Sequence, residues 1–579
     1  MPLTPYSGTL GKKAAAHLLR RATFGANKTE IDTFSGLDAA TAVGQLFQAS
    51  PLPQPPVLPG GATWVTQTPA VGEDENMQQH YLICWWLGVM LNSGVSSSDK
   101  LAYSTREKVT FLLHTLLTTI QQTVNNSRSL YFQNTLLRKF AFDGSADPKL
   151  TFRELTKKIS IDNAMVALLD GRLNVKGNPN ENYARELFEL FTIGKGLNDE
   201  IPATGVQGDY YYYTEQDVQA SAKVLSGWDV DETFSTIDAD TLIPRAKVKS
   251  ATAGGPPNQH DNTVKQFSAR FGNATITPNP SLLNGGLPTE ASMIDEIGQL
   301  IDMIYSQTET HKNICRKLYR FYVYHDITTT IDTTIIADMV TTFTTNNFKL
   351  EPVIRELLQS QHFYDSADAT VDNDNFGAII KSPLQLVGET LNFFEYQLPD
   401  YSTQSSSFYM KADNLLSAVI NQGLDLMNPF DVAGYEAYHQ FPLYHRMWIN
   451  TNALTQRYKF IFDTMTTVNM DPDNVTIDLL PFMQARFSGT APDPDAFIRE
   501  LATYLLPLSA ETTELTTARL DWFKSQLFKL GQALPQGPLA FWQFSWANAN
   551  TIPASGEDTR GMLQDLINAM LQTPEYQLG

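Results

Sequence analysis

The chain has 579 residues and a formal charge of −20, from 42 Lys and Arg against 62 Asp and Glu. That balance, with no basic run, excludes the electrostatic footprint of a nucleic-acid binder and gives no pull towards anionic membranes. Cys84 and Cys315 lie in no CxxC or zinc-finger spacing, so buried free thiols are expected rather than a disulfide or a metal site.

No window holds about 18 consecutive apolar residues, and no transmembrane helix is predicted. The opening MPLTPYSGTLGKK lacks a basic region followed by an apolar core, so it does not read as a secretory leader. Residues 1–50 read as a small N-terminal helical segment, in which HLLRR closes a first helix and Gly25 breaks it. Residues 51–72 begin PLPQPPVLPGG and read as an extended, Pro-rich spacer. From 73 to 579 the pattern predicts a helical body. Its first helix, QQHYLICWWLGVML, is apolar enough to be buried, and Thr105 is a candidate cap for the next, which carries His114.

Residues 178–194 carry the strongest local signal. Asn178 can cap a helix, Pro179 suits its first turn, Glu181 completes a capping box, and Gly194 offers a left-handed stop. At about 100° per residue, Tyr183, Ala184, Leu187, Phe188, Leu190 and Phe191 share one arc. Glu181, Asn182, Arg185, Glu186 and Glu189 fill the other. A loop of about 20 residues, ending in four tyrosines, leads to a second capped helix at Thr214 and Asp217. The two helices are expected to pack as a hairpin.

Residues 229–287 are rich in Gly, Pro, Asn and Thr and predict an irregular or small β insertion, with a short helix over 264–271. Helices resume from 290, and a long aromatic loop spans 428–450. No repeat period suggests a solenoid. The fold class is therefore mainly α: one large multi-helical body with a small irregular or β insertion.

Two sets of polar residues are candidates for chemistry. On the central helix, Glu186 and Glu189 could work as an acid and a base beside Arg185; the same residues could also be structural ion pairs. Glu186 and Glu189 stand i,i+3, but Thr192 occupies the position where a di-iron helix would carry His. His260, Asp261 and Lys265 form the second set, either a base with its neighbours or a capped turn. Catalytic candidates are thus Glu186, Glu189, Arg185 and His260. Binding candidates are Asn182, Tyr183, Asp261 and Lys265, joined by Tyr438 and Trp448 of the aromatic loop, which could stack on a sugar or pin the loop to the body. No nucleophile elbow, P-loop, Rossmann fingerprint or HExxH is present. No metal ligands and no cofactor are assigned.

NPNENYARELFELFTIG followed by YTEQDVQASAKVLSGW resembles the paired signature of the bacterial domain-of-unknown-function 1800 family. HLLRRATFG, NAMVALLDG, HDNTVKQF, ICRKLYRFYV, KSPLQLV, WINTNALTQRYKF and the final TPEYQ match further segments in family order. Where that family shows a pattern like FWHxHF, this chain has His114 but Leu116 in the second histidine position. The resemblance implies a large helical bacterial protein, commonly exported and so extracytoplasmic, with no established reaction. The expected function is an exported interaction or assembly component that binds a protein or glycan partner. The alternative is a hydrolase using Glu and His around the central helix.

Overall fold

Helices supply nearly all the regular structure of this computed structural model, which describes residues 3–66, 74–144, 147–252, 254–365, 375–465, 474–507, 515–532 and 534–579. Residues 67–72 of the expected spacer, and 466–473 and 508–514 of the C-terminal helical region, lie outside the described residues. The mainly α reading holds. The insertion contributes only two antiparallel pairs, Trp228–Asp229 with Lys247–Val248 and Lys265–Gln266 with Thr275–Ile276. Among the described residues, no helix is long and apolar enough to cross a membrane.

Side-chain caps fix many helix starts. Asn27 and Glu30 form a reciprocal capping box, Asp162 accepts from Met165 N–H, and Ser382 accepts from Gln385 N–H ahead of Pro383. Trp64, Trp85, Trp86, Trp228 and Trp542 are fully buried in a continuous apolar core. The described part of the 51–72 segment lies along the body. Trp85 Nε1 and Tyr401 OH both donate to Gln54 O at 3.1 Å, and Tyr409 OH donates to Val57 O at 2.6 Å.

Glycines set two close approaches. Gly25, with φ +116°, ends the Gly11–Ala22 helix against the Pro383–Phe393 helix, where a Cβ would stand 2.5 Å from Glu389 Cα. Gly88 of the Glu75–Met90 helix lets the Phe408 ring of the Ser405–Asn421 helix press in, 2.4 Å from where a Cβ would be.

Three local expectations need correction. The central helix starts at Asn182, not Pro179, because Asn178 N–H is already spent on Val175 O in a tight turn (3.0 Å). Asn180 Oδ1 accepts from Asn182 N–H instead, and Glu181 makes no capping bond. Residues 264–271 are a strand and a 3-10 turn rather than a helix, since Lys265 and Gln266 pair with Ile276 and Thr275. Thr105 lies inside the Lys100–Leu116 helix, where its hydroxyl bonds Leu101 O. The capping box at Thr214 is present, with Asp217 accepting from Thr214 N–H at 2.7 Å.

Candidate functional site

The central helix changes pitch halfway: Asn182–Glu186 is α-helical and Leu187–Phe191 is a π-turn, a local widening common at functional sites. Tyr183 is buried, its hydroxyl donating to Ile159 O at 2.9 Å. Phe188 stacks on Tyr213 at 5.1 Å, and Arg185 bridges to the Glu215–Val224 helix through Glu215 at 2.8 Å. Glu181 stands 3.7 Å from the same guanidinium, and Tyr210 OH accepts from it at 3.1 Å. Glu181 and Glu189 are the i,i+4 partners the helix offers Arg185, and Glu181 alone of these two stands against it. Arg185 turns to Glu215 because Glu189 pairs with Lys195. About a third exposed, this ion pair belongs to the surface class worth ~0–1 kcal/mol. Asn182 is exposed. Glu186 is different: half-buried and, among the described residues, without an ion-pair partner, its carboxyl is pushed up to about 7 by desolvation, then by Glu189, with Asp431 adding to the push.

His260 lies elsewhere. It is fully buried, with Nδ1 2.9 Å from Ser226 O and Nε2 3.3 Å from Glu296 Oε1. Lys265 pairs with the other oxygen of Glu296 and is also buried. Asp261 accepts from Thr263 N–H at 3.0 Å and caps a turn. Among the described residues, no hydrogen bond or ion pair joins this cluster to Glu186. The geometry of the triad is that of an internal ion-pair brace.

Tyr438 and Trp448 line a third place, a cavity of about 80 Å³. Its wall is cationic in a chain that is acidic overall. Arg20 and Arg21 come from the Gly11–Ala22 helix, Lys108 from Lys100–Leu116, Lys317 and Arg320 from Thr308–Tyr322, and Lys381 from just before Pro383–Phe393. Tyr438, Tyr444, His445 and Trp448 arrive on the aromatic loop, which folds into two short helical turns, Glu436–His439 and Tyr444–Trp448.

Two carboxylates offset part of the charge on Arg20, Arg21 and Lys381: Glu389 in contact, and Asp365, which raises Arg21. Glu389 pairs with Arg20 at 3.0 Å and with Lys381 at 2.9 Å. Arg21 donates only to the carbonyls of Val323 and Asn375, and its Nε has no partner among the described residues. Lys108 donates to Gln385 Oε1 and sits over the ring of Phe24 at 4.7 Å, with no carboxylate paired to it among the described residues. Burial, reinforced by Arg21, drives Lys108 down to about 7. Lys381 falls to about 8 and Arg21 to about 9, in both cases chiefly through burial. Behind the wall, Arg457 is buried, and among the described residues neither Nη atom has a partner.

Three histidines also line the wall, His325, His439 and His445, and two of them meet. Ile380 N–H donates to His445 Nδ1 at 3.1 Å, and His445 Nε2 lies 2.9 Å from His325 Nδ1. Burial holds His445 at about 3 and His325 at about 4, so both rings are neutral at pH 7. A neutral His445 that accepts at Nδ1 carries its proton on Nε2 and donates to His325, which leaves His325 Nε2–H as a donor at the cavity. His114 is not part of the wall. Its Nε2 lies 3.2 Å from Tyr435 OH in the core beneath the loop.

Sequence reasoning picked out Tyr438 and Trp448 but missed Arg20, Arg21, Lys108, Lys317, Arg320, Lys381, His325 and His445. The available signal was a lone cation in an apolar window, as with Lys108 in KVTFLLHTLL. Fully buried lysines are rare and are normally paired.

The cavity walls come from HLLRRATFG, ICRKLYRFYV, KSPLQLV and the aromatic loop, and Lys317 reaches across to Leu190 O at the end of the central helix. These segments lie far apart in the chain, and folding gathers them at one place. A family model described as "Protein of unknown function (DUF1800)" matches residues 17–578, across all of these segments. No curated protein and no solved structure matches the chain. On a match of that extent, the chain belongs to the DUF1800 family.

Proposed function

We propose that this chain is an interaction protein that takes an anionic group of a protein or glycan partner into the cationic cavity. The observation that carries the reading is Lys108: buried, crowded by Arg21 and unpaired with any described carboxylate. A carboxylate, sulfate or phosphate would supply the missing charge, accept from Arg21 Nε and His325 Nε2, and relieve the repulsion. Phe321, Tyr438 and Trp448 give the ring of a sugar or an aromatic side chain a surface beside that group. The volume suits one such group and the first atoms attached to it. Work outside the cytoplasm, as an exported assembly component, is what the family resemblance implies.

Sulfate tests this directly, because its charge is constant between pH 6 and 9. Calorimetric titration should show binding that strengthens as pH falls through about 8 and then about 7, where Lys381 and Lys108 take up protons. Lys108→Met should weaken it by about ten-fold or more, since a charge-assisted hydrogen bond is worth ~1.5–3 kcal/mol. Equal affinity at pH 6.5 and 8.5, or in the variant, would remove the basis of the proposal.

A hydrolytic reading is favoured by one observation, the Glu186 carboxyl poised at about 7 on the π-turned helix. It requires turnover of an anionic aryl ester or glycoside that Glu186→Gln abolishes while sulfate binding persists. Chromogenic phenyl sulfate, phosphate and glucuronide substrates would reveal this. If none is turned over at pH 5–8, the binding reading stands alone.

A further inference from the structure

Where the Glu75–Met90 and Ser405–Asn421 helices pack, among residues that do not line the cavity, three different ligand types meet. His80 and Cys84 stand i,i+4 on that helix and so share a face. Asp413 reaches them from the Ser405–Asn421 helix, which Gly88 allows to approach closely. His80 Nε2 is 3.1 Å from Asp413 Oδ1 and 3.6 Å from Cys84 Sγ, and the three ligand atoms lie within 4.8 Å of one another.

We propose that His80, Cys84 and Asp413 bind a zinc ion, with solvent as the fourth ligand, stapling these two helices together. The two distances from His80 Nε2 are close to those a tetrahedral site demands. Bond lengths of about 2.0–2.1 Å to nitrogen and oxygen and 2.3 Å to sulfur place ligand atoms roughly 3.3 Å apart for N and O, and 3.6 Å apart for N and S. Burial is graded in the way entry requires: Cys84 Sγ forms the floor, while the exposed His80 and Asp413 form the mouth. Tyr81 and Tyr409 pack on each other at 4.5 Å, and Tyr409 OH is committed to Val57 O, so Tyr409 is not a ligand. Soft thiolate, imidazole and one carboxylate select zinc or cobalt over magnesium or calcium. On binding, the Cys84 S–H bond is exchanged for a sulfur–zinc bond and the proton goes to solvent. His80 Nε2 gives up the proton it shares with Asp413, the ring keeping its single proton on Nδ1, and the His80–Asp413 hydrogen bond is replaced by two coordinate bonds.

Cysteine spacing in the sequence gave no such expectation, because the set draws one ligand from a distant helix. The site is also remote in kind from the cationic cavity, which would repel a divalent ion, so the two proposals stand or fall separately.

The probe is cobalt, then zinc, added to chelator-treated full-length protein. One equivalent of cobalt should produce a thiolate-to-cobalt charge-transfer band and the intense visible absorption of a tetrahedral centre, and one equivalent of zinc should abolish both. His80→Gln and Asp413→Asn, at exposed positions that leave the core intact, should each weaken cobalt affinity at least about ten-fold. Cys84→Ser should lose the charge-transfer band, with circular dichroism confirming the fold. Zinc should raise the Tm of the parent and not of Asp413→Asn. Absence of the band in folded parent protein, or its survival in both His80→Gln and Asp413→Asn at unchanged affinity, overturns the proposal.

Discussion

Glu296→Ala is expected to destabilise the fold by roughly 3–5 kcal/mol, the loss typical of a buried ion pair deprived of one partner. Glu296 lies on the Glu290–Ile304 helix with no exposed surface and serves two partners at once. One oxygen faces His260 Nε2 at 3.3 Å, and the other takes the ammonium of Lys265. Removing the carboxylate leaves Lys265 charged and buried on a two-residue strand, with no water to solvate it. Lys265 can then shed its proton, and its folded-state pKa is already lowered by burial even with Glu296 present. Stability lost in the variant should therefore be partly regained as pH rises from neutrality, because the unfolded lysine still holds its proton there while the folded one no longer needs to. Urea midpoints at pH 7 and pH 9 measure both effects. The double variant Glu296→Leu with Lys265→Met should recover much of the loss, since an apolar replacement of a buried pair is often neutral. A single-variant loss under ~1 kcal/mol would show that the triad does not brace the insertion, and would reopen His260 as a working base.

Local periodicity made the helical class legible, and so did the apolar arc of Tyr183, Leu187 and Phe191, because those signals sit within one turn or two of each other. The start of the central helix was misread for a tertiary reason. Asn178 had the chemistry of a cap, but Val175 and a hydrogen bond from Lys176 N–H to Gln259 O hold that segment in a turn. The partner of Arg185 was misjudged similarly: Glu189 is one turn away, but Glu215 on the next helix wins by geometry. The cavity was illegible because its charges come singly, on helices brought together only by folding. Tyr438 and Trp448 were visible because aromatics concentrated in a long loop stand out in sequence; Lys108 and Lys381 were not, because one lysine in an apolar run looks like a snorkelling surface residue. His260 and Glu186 each looked chemical in isolation, and only the fold shows that they face different neighbours.

Glu389→Ala should cost a similar roughly 3–5 kcal/mol, with a loss that depends on the anion in solution. Glu389 is the side-chain carboxylate holding Arg20 at 3.0 Å and Lys381 at 2.9 Å, and all three are buried. Its backbone is the surface on which Gly25 rests, so a substitution that keeps the backbone and deletes only the carboxylate isolates the electrostatic effect. With it gone, Arg20, Arg21, Lys108, Lys381 and Arg457 face one another with no side-chain counter-charge in contact with them among the described residues. Lys381, already lowered to about 8 with Glu389 helping to keep it charged, would drop further and lose its proton near neutrality. The deficit should accordingly be larger at pH 6.5, where the lysines are forced to charge, than at pH 9. Arg20 still lacks its carboxylate partner, so recovery at high pH is only partial. An anion seated in the cavity would do what the carboxylate did. Sulfate stabilises most folds by exclusion, so the diagnostic quantity is the difference from the parent: the urea midpoint of Glu389→Ala should rise more steeply with sulfate than that of the parent. Adding Lys108→Met should flatten that extra slope, because one of the ligands to the anion is then missing. Parallel sulfate slopes in parent and variant would mean that the buried cations are balanced by the fold itself, and the cavity would lose its claim to an anionic guest.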